Sequence, residues 1–320
     1  MNISVIVPNY NHKKFLPQRL NTIFNQTFND FEIILLDDCS TDGSWEILKQ
    51  FKDHPKVNHC IRNKSNSGSP FRQWKKGIEL AQYEWIWIAE SDDFSDLNFL
   101  KNILEFKKDK NVDFLYCQSS DVDFKGDIIE SRIHWTDDFK PNIWIEDWVL
   151  SGKFFIEKYL YHKNVIPNAS ACLFKKSLIK KEFWDIISNF SFCGDWYLWT
   201  LILKEVNIGF LSVSNNYFRN HSSVSRIHND LTKKQKRIYE EYLILIFLES
   251  NFTLNNSRLV SIQKKWFSLF NFFDIFSNKE LFKLNIYKNI YMLILNFSKF
   301  KIDRLRRKFS IQSKLISKFL

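Results

Sequence analysis

Trp85-Ile86-Trp87-Ile88-Ala89 is an apolar run that stops abruptly at Glu90-Ser91-Asp92-Asp93. A buried strand that delivers carboxylates to the edge of a sheet has this form. In open α/β sheets, ligands bind just beyond the carboxyl ends of the strands. Carboxylates at that point attract a hard divalent cation, and Mg²⁺ is held by one or two of them together with substrate phosphates. The stretch therefore points to metal–phosphate chemistry. Four further segments carry groups suited to the same site: Val7-Pro8-Asn9-Tyr10-Asn11, Leu36-Asp37-Asp38-Cys39-Ser40-Thr41-Asp42-Gly43-Ser44, Gly194-Asp195-Trp196, and Tyr217-Phe218-Arg219-Asn220-His221. Taken singly, each has a plain structural reading. Pro8–Asn11 suits a strand-ending turn, and Asp38, Asp42 and Asp195 are good helix caps. His221 alone suits a structural role. The order and spacing of the set carry the inference.

The elements that must position these groups alternate along residues 1–110. Ile3–Val7, Phe31–Leu36, Val57–Ile61 and Trp85–Ala89 read as short buried strands. His12–Asn25, Trp45–Phe51, Phe71–Ala81 and Leu97–Phe106 have helical spacing. Strand–helix alternation implies a parallel sheet covered on both faces. Beyond residue 111 the pattern is less regular. It predicts strands at Val112–Cys117, Ser170–Phe174 and Ile208–Val213, a hairpin turn at Lys125-Gly126-Asp127, and helices at Ser177–Ile187 and Trp196–Glu205. No glycine follows Gly209 and no proline follows Pro167, which predicts a helical region from about Leu231. The expected organisation is a domain over 1–230 and a basic, aromatic, helical region over 231–320.

In this order, the segments resemble the family 2 glycosyltransferases with the GT-A fold. The resemblance covers about residues 1–228. Ser4–Asn11 is similar to the family's first strand and loop, Asp37–Ser44 to its second motif, and Glu90-Ser91-Asp92-Asp93 to its DxD segment. Gly194-Asp195 matches its catalytic acid, and Arg219-Asn220-His221 through Ser225 its closing Arg-x-His segment. The resemblance implies an α/β, GT-A-type nucleotide-binding sandwich with a mainly parallel central sheet, followed by the helical region. It implies that Tyr10 packs on a nucleotide base, that Asp38 hydrogen-bonds it, and that Pro8 shapes that loop. Glu90 then lies near the ribose, Asp92 binds Mg²⁺ or Mn²⁺ bridging the diphosphate, and Asp195 is the general base. Arg219 and His221 approach the diphosphate or close over it. The implied activity is non-processive, metal-assisted, inverting transfer of a sugar from a nucleotide-diphosphate donor, UDP favoured, to a glycan or lipid-linked acceptor in cell-surface polysaccharide synthesis. Two positions depart from the pattern: Glu90 stands where Asp is commoner, and Gly194 occupies the place of a frequent second acid.

Composition bounds the alternatives. The formal net charge of +10 is unevenly placed, with 18 Lys and Arg against 6 Asp and Glu in residues 231–320. The remaining residues are slightly acidic, so the positive charge belongs to the tail and not to the site. A nucleic-acid-binding protein would need its phosphate-neutralising charge at the binding face, and no nucleic-acid partner is expected. A nucleotidyltransferase shares a nucleotide pocket with acidic metal ligands, but it carries a Gly-rich, basic N-terminal loop that Pro8–Asn11 lacks. A non-catalytic sugar-nucleotide binder remains a second alternative. The five cysteines lie apart, without a Cys-x-x-Cys pair, which suits a reducing cytoplasm. No segment has the form of a signal peptide or of a membrane-spanning helix. Ile302, Leu305, Phe309, Ile316 and Phe319 recur at helical spacing among Lys and Arg. Such helices lie on anionic membrane surfaces, so peripheral attachment to the cytoplasmic leaflet is expected. A second copy of the chain is a further candidate partner, through Ile238–Leu248.

Overall fold

The computed structural model describes residues 1–221, 230–254, 257–286 and 289–316, with side chains described as far as Arg307. The chain divides into two compact units, Met1–Arg226 and Ile227–Leu320. The first is built on a sheet of ten strands: β1 (Ile3–Asn9), β2 (Phe31–Asp37), β3 (Val57–Arg62), β4 (Trp85–Ile88), β5 (Phe94–Ser95), β6 (Phe114–Val122), β7 (Ile128–Ser131), β8 (Trp148–Ser151), β9 (Cys172–Lys175) and β10 (Asn207–Arg219). Along the sheet the order is β3-β2-β1-β4-β9-β6-β10-β5, with β7 on β6 and β8 on β10. β1 runs parallel to β2 and β4, and β2 to β3. β9 is antiparallel to both β4 and β6, which makes β6 parallel to β4, and β10 runs parallel to β6. Six strands therefore release their chain at one edge. That edge receives residues 9–13, 38–43, 63–69, 89–93, 123–127 and 220–221.

Alternation along the strands explains how the sheet is covered. Val5, Val7, Ile33, Leu35 and Trp87 point to one face and pack against Leu16, Leu20 and Ile23 of the helix Leu16–Phe24 and against Phe99 and Ile103 of the helix Phe99–Lys107. The intervening residues Ile6, Ile34, Leu36 and Ile88 are equally buried on the other face. There the helix Pro70–Leu80 comes so close that a Cβ on Gly77 would lie 2.3 Å from Ile6 Cγ2. With both faces covered, the strands are apolar throughout rather than alternating.

Two of the departures from the sequence expectation have a clear local cause. Ser177–Ile187 is not one helix: a 3₁₀ turn at Lys176–Leu178 precedes a short helix at Phe183–Ile187. Lys176 N donates to Glu84 O at 2.6 Å and Ser177 Oγ donates to Glu84, so tertiary tethering overrides helical spacing. β10 extends six residues beyond the expected Val213, with register shifts at Leu211/Ser214 and Ser214/Asn216. The polar run Ser212–Asn216 conceals it, because a bulged strand breaks the period on which a strand is recognised.

The second unit contains helices at Leu231–Asn251, Ser257–Ser268 and Ile290–Ile316. Asp230 caps the first, its side chain accepting from Lys233 N at 2.8 Å. Ile262, Trp266, Phe267, Leu281, Leu293 and Phe297 form its buried core. Between the second and third of these helices lies a cavity of about 560 Å³, with Phe267 and Phe300 in its wall and Lys264, Lys299, Arg304 and Arg307 at its lining. Ile302 and Leu305 are exposed, and the side chains of Phe309 and Ile316, and all of Phe319, lie outside the described residues. No helix of the described residues is long and apolar enough to cross a membrane.

Candidate active site

The loops after β1 and β2 interlock. Asp38 N donates to Asn9 O at 2.8 Å, and Asn9 Nδ2 donates to Asp37 Oδ1 at 2.9 Å and to Ser40 Oγ at 3.1 Å. Ser40 Oγ also accepts from Asn11 N, and Asn11 Oδ1 accepts from Thr41 N. Asn11 turns the chain at φ 56°, a left-handed conformation that Asn tolerates through its short polar side chain. This turn leaves Tyr10 45% exposed at the rim, while Pro8 is buried within β1. Asp38 is buried, and its carboxylate accepts from Asn63 Nδ2 (2.6 Å), Ser67 N and Oγ (3.0 and 2.7 Å) and Gln73 Nε2 (2.8 Å). It thus organises the 63–73 segment, and a bond to a nucleotide base would exchange one of these donors. Arg72 is a tether for the same loop, donating to Ser67 O and Ser188 O.

The acidic segment follows β4, and its three carboxyls have different surroundings. Glu90 is partly buried and accepts from Trp74 Nε1 at 2.6 Å. Burial, and then the Asp92 charge, push its carboxyl up to about 8, against the opposing Trp74 hydrogen bond. Asp93 is fully enclosed. Its Oδ1 accepts from Arg219 N at 3.0 Å and its Oδ2 from Asn168 Nδ2. Burial and the Asp92 charge raise its carboxyl as well. Burial alone would raise Asp92 too, but His12 and His221 hold it well below the usual carboxylate range. Asp92 is also the one carboxylate of the three that faces two imidazoles. His221 Nε2 lies 3.1 Å from Asp92 Oδ2, and the donor atoms of His12, Asp92 and His221 all lie within 4.8 Å of one another.

Arg219 was expected near a diphosphate, and here its donors are taken up within the protein. Nε donates to Asp92 O at 2.7 Å, Nη1 to Asp123 O and Phe124 O, and Nη2 to Gln18 Oε1. Its guanidinium also packs over the rings of Phe15 and Phe94. The residue fastens the backbone of Asp92 to the end of β10, and so carries His221, two residues on, to the same acid. The rest of the expected closing segment, Ser222–Ser225, lies outside the described residues.

Asp195 stands in the first turn of the helix Gly194–Ile202, where a carboxylate is favoured by the helix dipole. Its Oδ2 accepts from Asn164 Nδ2 at 2.8 Å. Gly194 has a local cause: a Cβ there would lie 2.5 Å from the buried Phe71 ring, so the position that commonly holds a second acid has no room for one.

Several residues at this edge escaped sequence reasoning. Asn164 is one of them, from an aromatic, loop-like stretch, whereas Asn168 and Ser170 belong to a small-residue segment that the sequence offers either as a strand or as a border to the donor sugar. Ser170 Oγ accepts from Glu90 N at 3.1 Å, and Asn168 Oδ1 accepts from Asn216 Nδ2 at 3.0 Å. Arg19 is wholly buried beneath the acidic segment, 4.9 Å over the Trp87 ring, with no hydrogen bond from its guanidinium among the described residues. Burial lowers its pKa to about 10, against the neighbouring acids. The Phe15–Arg19–Ile23 spacing is the signal that places position 19 on the inner face of its helix. His12, in the loop after β1, is another such residue.

A profile described as "Glycosyl transferase family 2" matches residues 4–183. The poly(ribitol-phosphate) beta-N-acetylglucosaminyltransferase TarS of Staphylococcus aureus is 31% identical over 129 residues, covering 39% of this chain and 22% of TarS. The putative teichuronic acid biosynthesis glycosyltransferase TuaG of Bacillus subtilis is 30% identical over 132 residues, 41% of this chain and 52% of TuaG. The match thus spans between about a fifth and a half of the length of these relatives. The abequosyltransferase RfbV of Salmonella typhimurium is 27% identical over 270 residues, 81% of this chain and 78% of RfbV. Among solved structures, the 1–349 portion of S. aureus TarS in complex with UDP-GlcNAc superposes with a TM-score of 0.59 at 18% identity, covering 93% of this chain and 79% of that one. This likeness establishes the GT-A fold.

Proposed function

The chain belongs to glycosyl transferase family 2, and we propose that it moves a sugar from a nucleotide-diphosphate donor to a hydroxyl of a surface-polysaccharide acceptor, with inversion. The observation that carries this reading is a metal-type carboxylate beside two imidazoles at the edge of a parallel sheet, supported by an oriented carboxylate at the start of a helix whose Gly194 packs on Phe71. The UDP-GlcNAc complex of TarS supports a UDP-sugar as donor, and the relatives' names support a glycan or polyol-phosphate chain as acceptor.

An acceptor alcohol is a weak nucleophile, so a positioned carboxylate must take its proton in the transition state. Asp195 has that role, with Asn164 fixing the orientation of its carboxylate. Tyr10, at the rim, packs on the base. Pro8 and Asp38 shape the pocket around it, and Glu90 lies toward the ribose. Asp92 would hold Mg²⁺ or Mn²⁺ with His221 beside it, and the acid, depressed by two imidazoles, suits a cation. When bound, the ion neutralises charge gathering on the leaving diphosphate. Arg219 acts through Asp92, by holding its backbone.

A thermal-shift titration with UDP, GDP and dTDP, with and without Mn²⁺, tests the donor pocket. One diphosphate should stabilise the protein in a metal-dependent way, and Asp92→Asn should abolish the metal-dependent part. If none does so in folded protein, the assignment fails and the non-catalytic readings take its place.

The helical unit supports attachment to an anionic membrane surface. Its cavity lining brings Lys264, Lys299, Arg304 and Arg307 around Phe267 and Phe300, and each basic residue near such a surface contributes about 1 kcal/mol. The double variant Lys299→Glu/Arg304→Glu is expected to sediment with phosphatidylglycerol vesicles at least about tenfold less than the wild type. Equal pelleting of the wild type with neutral and anionic lipid would remove the proposal.

A further inference from the structure

Three histidine and aspartate donors meet in a space the size of a metal coordination shell. Those of His12, Asp92 and His221 lie within 4.8 Å of one another, and Asp92 Oδ2 is 3.1 Å from His221 Nε2. Around an ion held at about 2.1 Å, adjacent donors stand about 3.0 Å apart and opposite donors about 4.2 Å. The Asp92–His221 pair already has the separation of neighbouring ligands, and the whole set needs little closure. The two imidazole centroids are 5.7 Å apart at an interplanar angle of 83°, so the rings approach from different directions and do not stack.

Each donor is also held from behind. His12 Nδ1 lies 2.8 Å from Ser91 Oγ. The tautomer in which Nδ1–H donates to that hydroxyl leaves Nε2 with its lone pair, which is how ligating histidines are commonly oriented. Asp92 is fixed through its carbonyl by Arg219 Nε. His221 rests against the Phe15 ring, at a centroid distance of 4.9 Å. The other histidine–acid cluster among the described residues, Asp121, Glu130 and His134, is different. There Arg132 Nη1 sits 2.8 Å from Asp121 Oδ1, so a fixed cation already balances the acid.

We infer that His12 is a third protein ligand of the divalent cation, making a two-histidine, one-carboxylate site that selects Mn²⁺ over Mg²⁺. Imidazole nitrogen suits transition ions, whereas Mg²⁺ prefers oxygen donors and keeps its waters. With three ligands from the protein, the ion binds before any nucleotide. A site of one carboxylate would wait for the diphosphate to complete it. The inference deepens the functional reading above and rests on it only for the diphosphate that shares the ion.

The test is a calorimetric titration of the full chain with Mn²⁺ and with Mg²⁺, without nucleotide, on the wild type, His12→Gln and His134→Gln. Pulsed EPR of bound Mn²⁺ is recorded in parallel. The wild type is expected to bind Mn²⁺ at least about tenfold more tightly than Mg²⁺. His12→Gln should weaken Mn²⁺ by at least about tenfold and narrow the preference over Mg²⁺, while His134→Gln changes neither. Nitrogen modulation from two imidazoles is expected on the wild type, which gives a readout independent of how any variant folds. Modulation from one imidazole or none, or an unchanged Mn²⁺ affinity in folded His12→Gln, overturns the inference. Adding UDP separates the two readings. Mn²⁺ bound through His12 with no stabilisation by any nucleoside diphosphate sustains the metal site and refutes the transferase pocket. Metal-dependent UDP stabilisation with His12→Gln equal to wild type does the reverse.

Discussion

Asp195→Asn is expected to lower kcat for sugar transfer by about 10²–10⁴-fold, the range general-base catalysis contributes. Donor binding should stay within a few-fold of the wild type. The substitution keeps the size of the side chain and an oxygen that can still accept from Asn164 Nδ2, now at 2.8 Å from Asp195 Oδ2. It removes only the capacity to take a proton. The helix Gly194–Ile202 should form as before, because Asn is also accepted near a helix start. Interactions made only in the transition state lower kcat and kcat/KM together when removed, whereas loss of ground-state binding raises KM. The check is therefore a steady-state comparison in which kcat falls and the metal-dependent UDP thermal shift does not. Asn164→Ala should show a smaller loss in the same direction, since Asn164 orients the base without replacing it. A loss of less than about tenfold in Asp195→Asn, with donor binding intact, would take the base assignment away from Asp195.

The frame of the site was legible because its determinants are local. Strands buried on both faces read as unbroken apolar runs, and β1, β2 and β4 do so before their polar loops begin. The side chains that complete the site depend on where distant segments return, and no period in the sequence encodes that. Asn168 and Ser170 reach the acidic segment because β9 is inserted antiparallel between β4 and β6. Neither residue has a spacing that announces it. His12 lies one residue beyond the quoted first motif, and becomes a partner of Asp92 only when the end of β10 brings His221 to the same place. Arg219 illustrates the opposite limit. Its type and position suggested a phosphate contact, but the carbonyls of Asp92, Asp123 and Phe124 surround its donors. Residue type identifies the charge, and the fold decides which acceptors it meets.

Glu90 shows how one methylene can change a carboxyl's role. The longer side chain carries its carboxylate to Trp74 Nε1, at 2.6 Å, in a partly buried setting beside Asp92. Burial and that neighbouring charge raise its carboxyl from the usual 4.5 to about 8. In the metal-free protein the folded form therefore holds a proton that the unfolded chain releases. Stability due to this group is fully present below about pH 4.5 and is lost as pH rises toward 8, since stability falls wherever the folded state binds more protons. At about 1.4 kcal/mol for each pH unit in that window, the ceiling is about 5 kcal/mol. Relaxation around the site brings the expected loss to about 2–4 kcal/mol. Glu90→Gln keeps an acceptor for Trp74 and cannot ionise. Its urea midpoint, measured in EDTA, should match the wild type near pH 4.5, exceed it increasingly through neutrality, and hold a constant margin above pH 8. Parallel curves for the two proteins would mean that Glu90 ionises as an ordinary surface acid. The same balance bears on the metal. A cation at Asp92 cancels the neighbouring charge that raises Glu90, so its binding should release a proton near pH 7 in the wild type and less in Glu90→Gln.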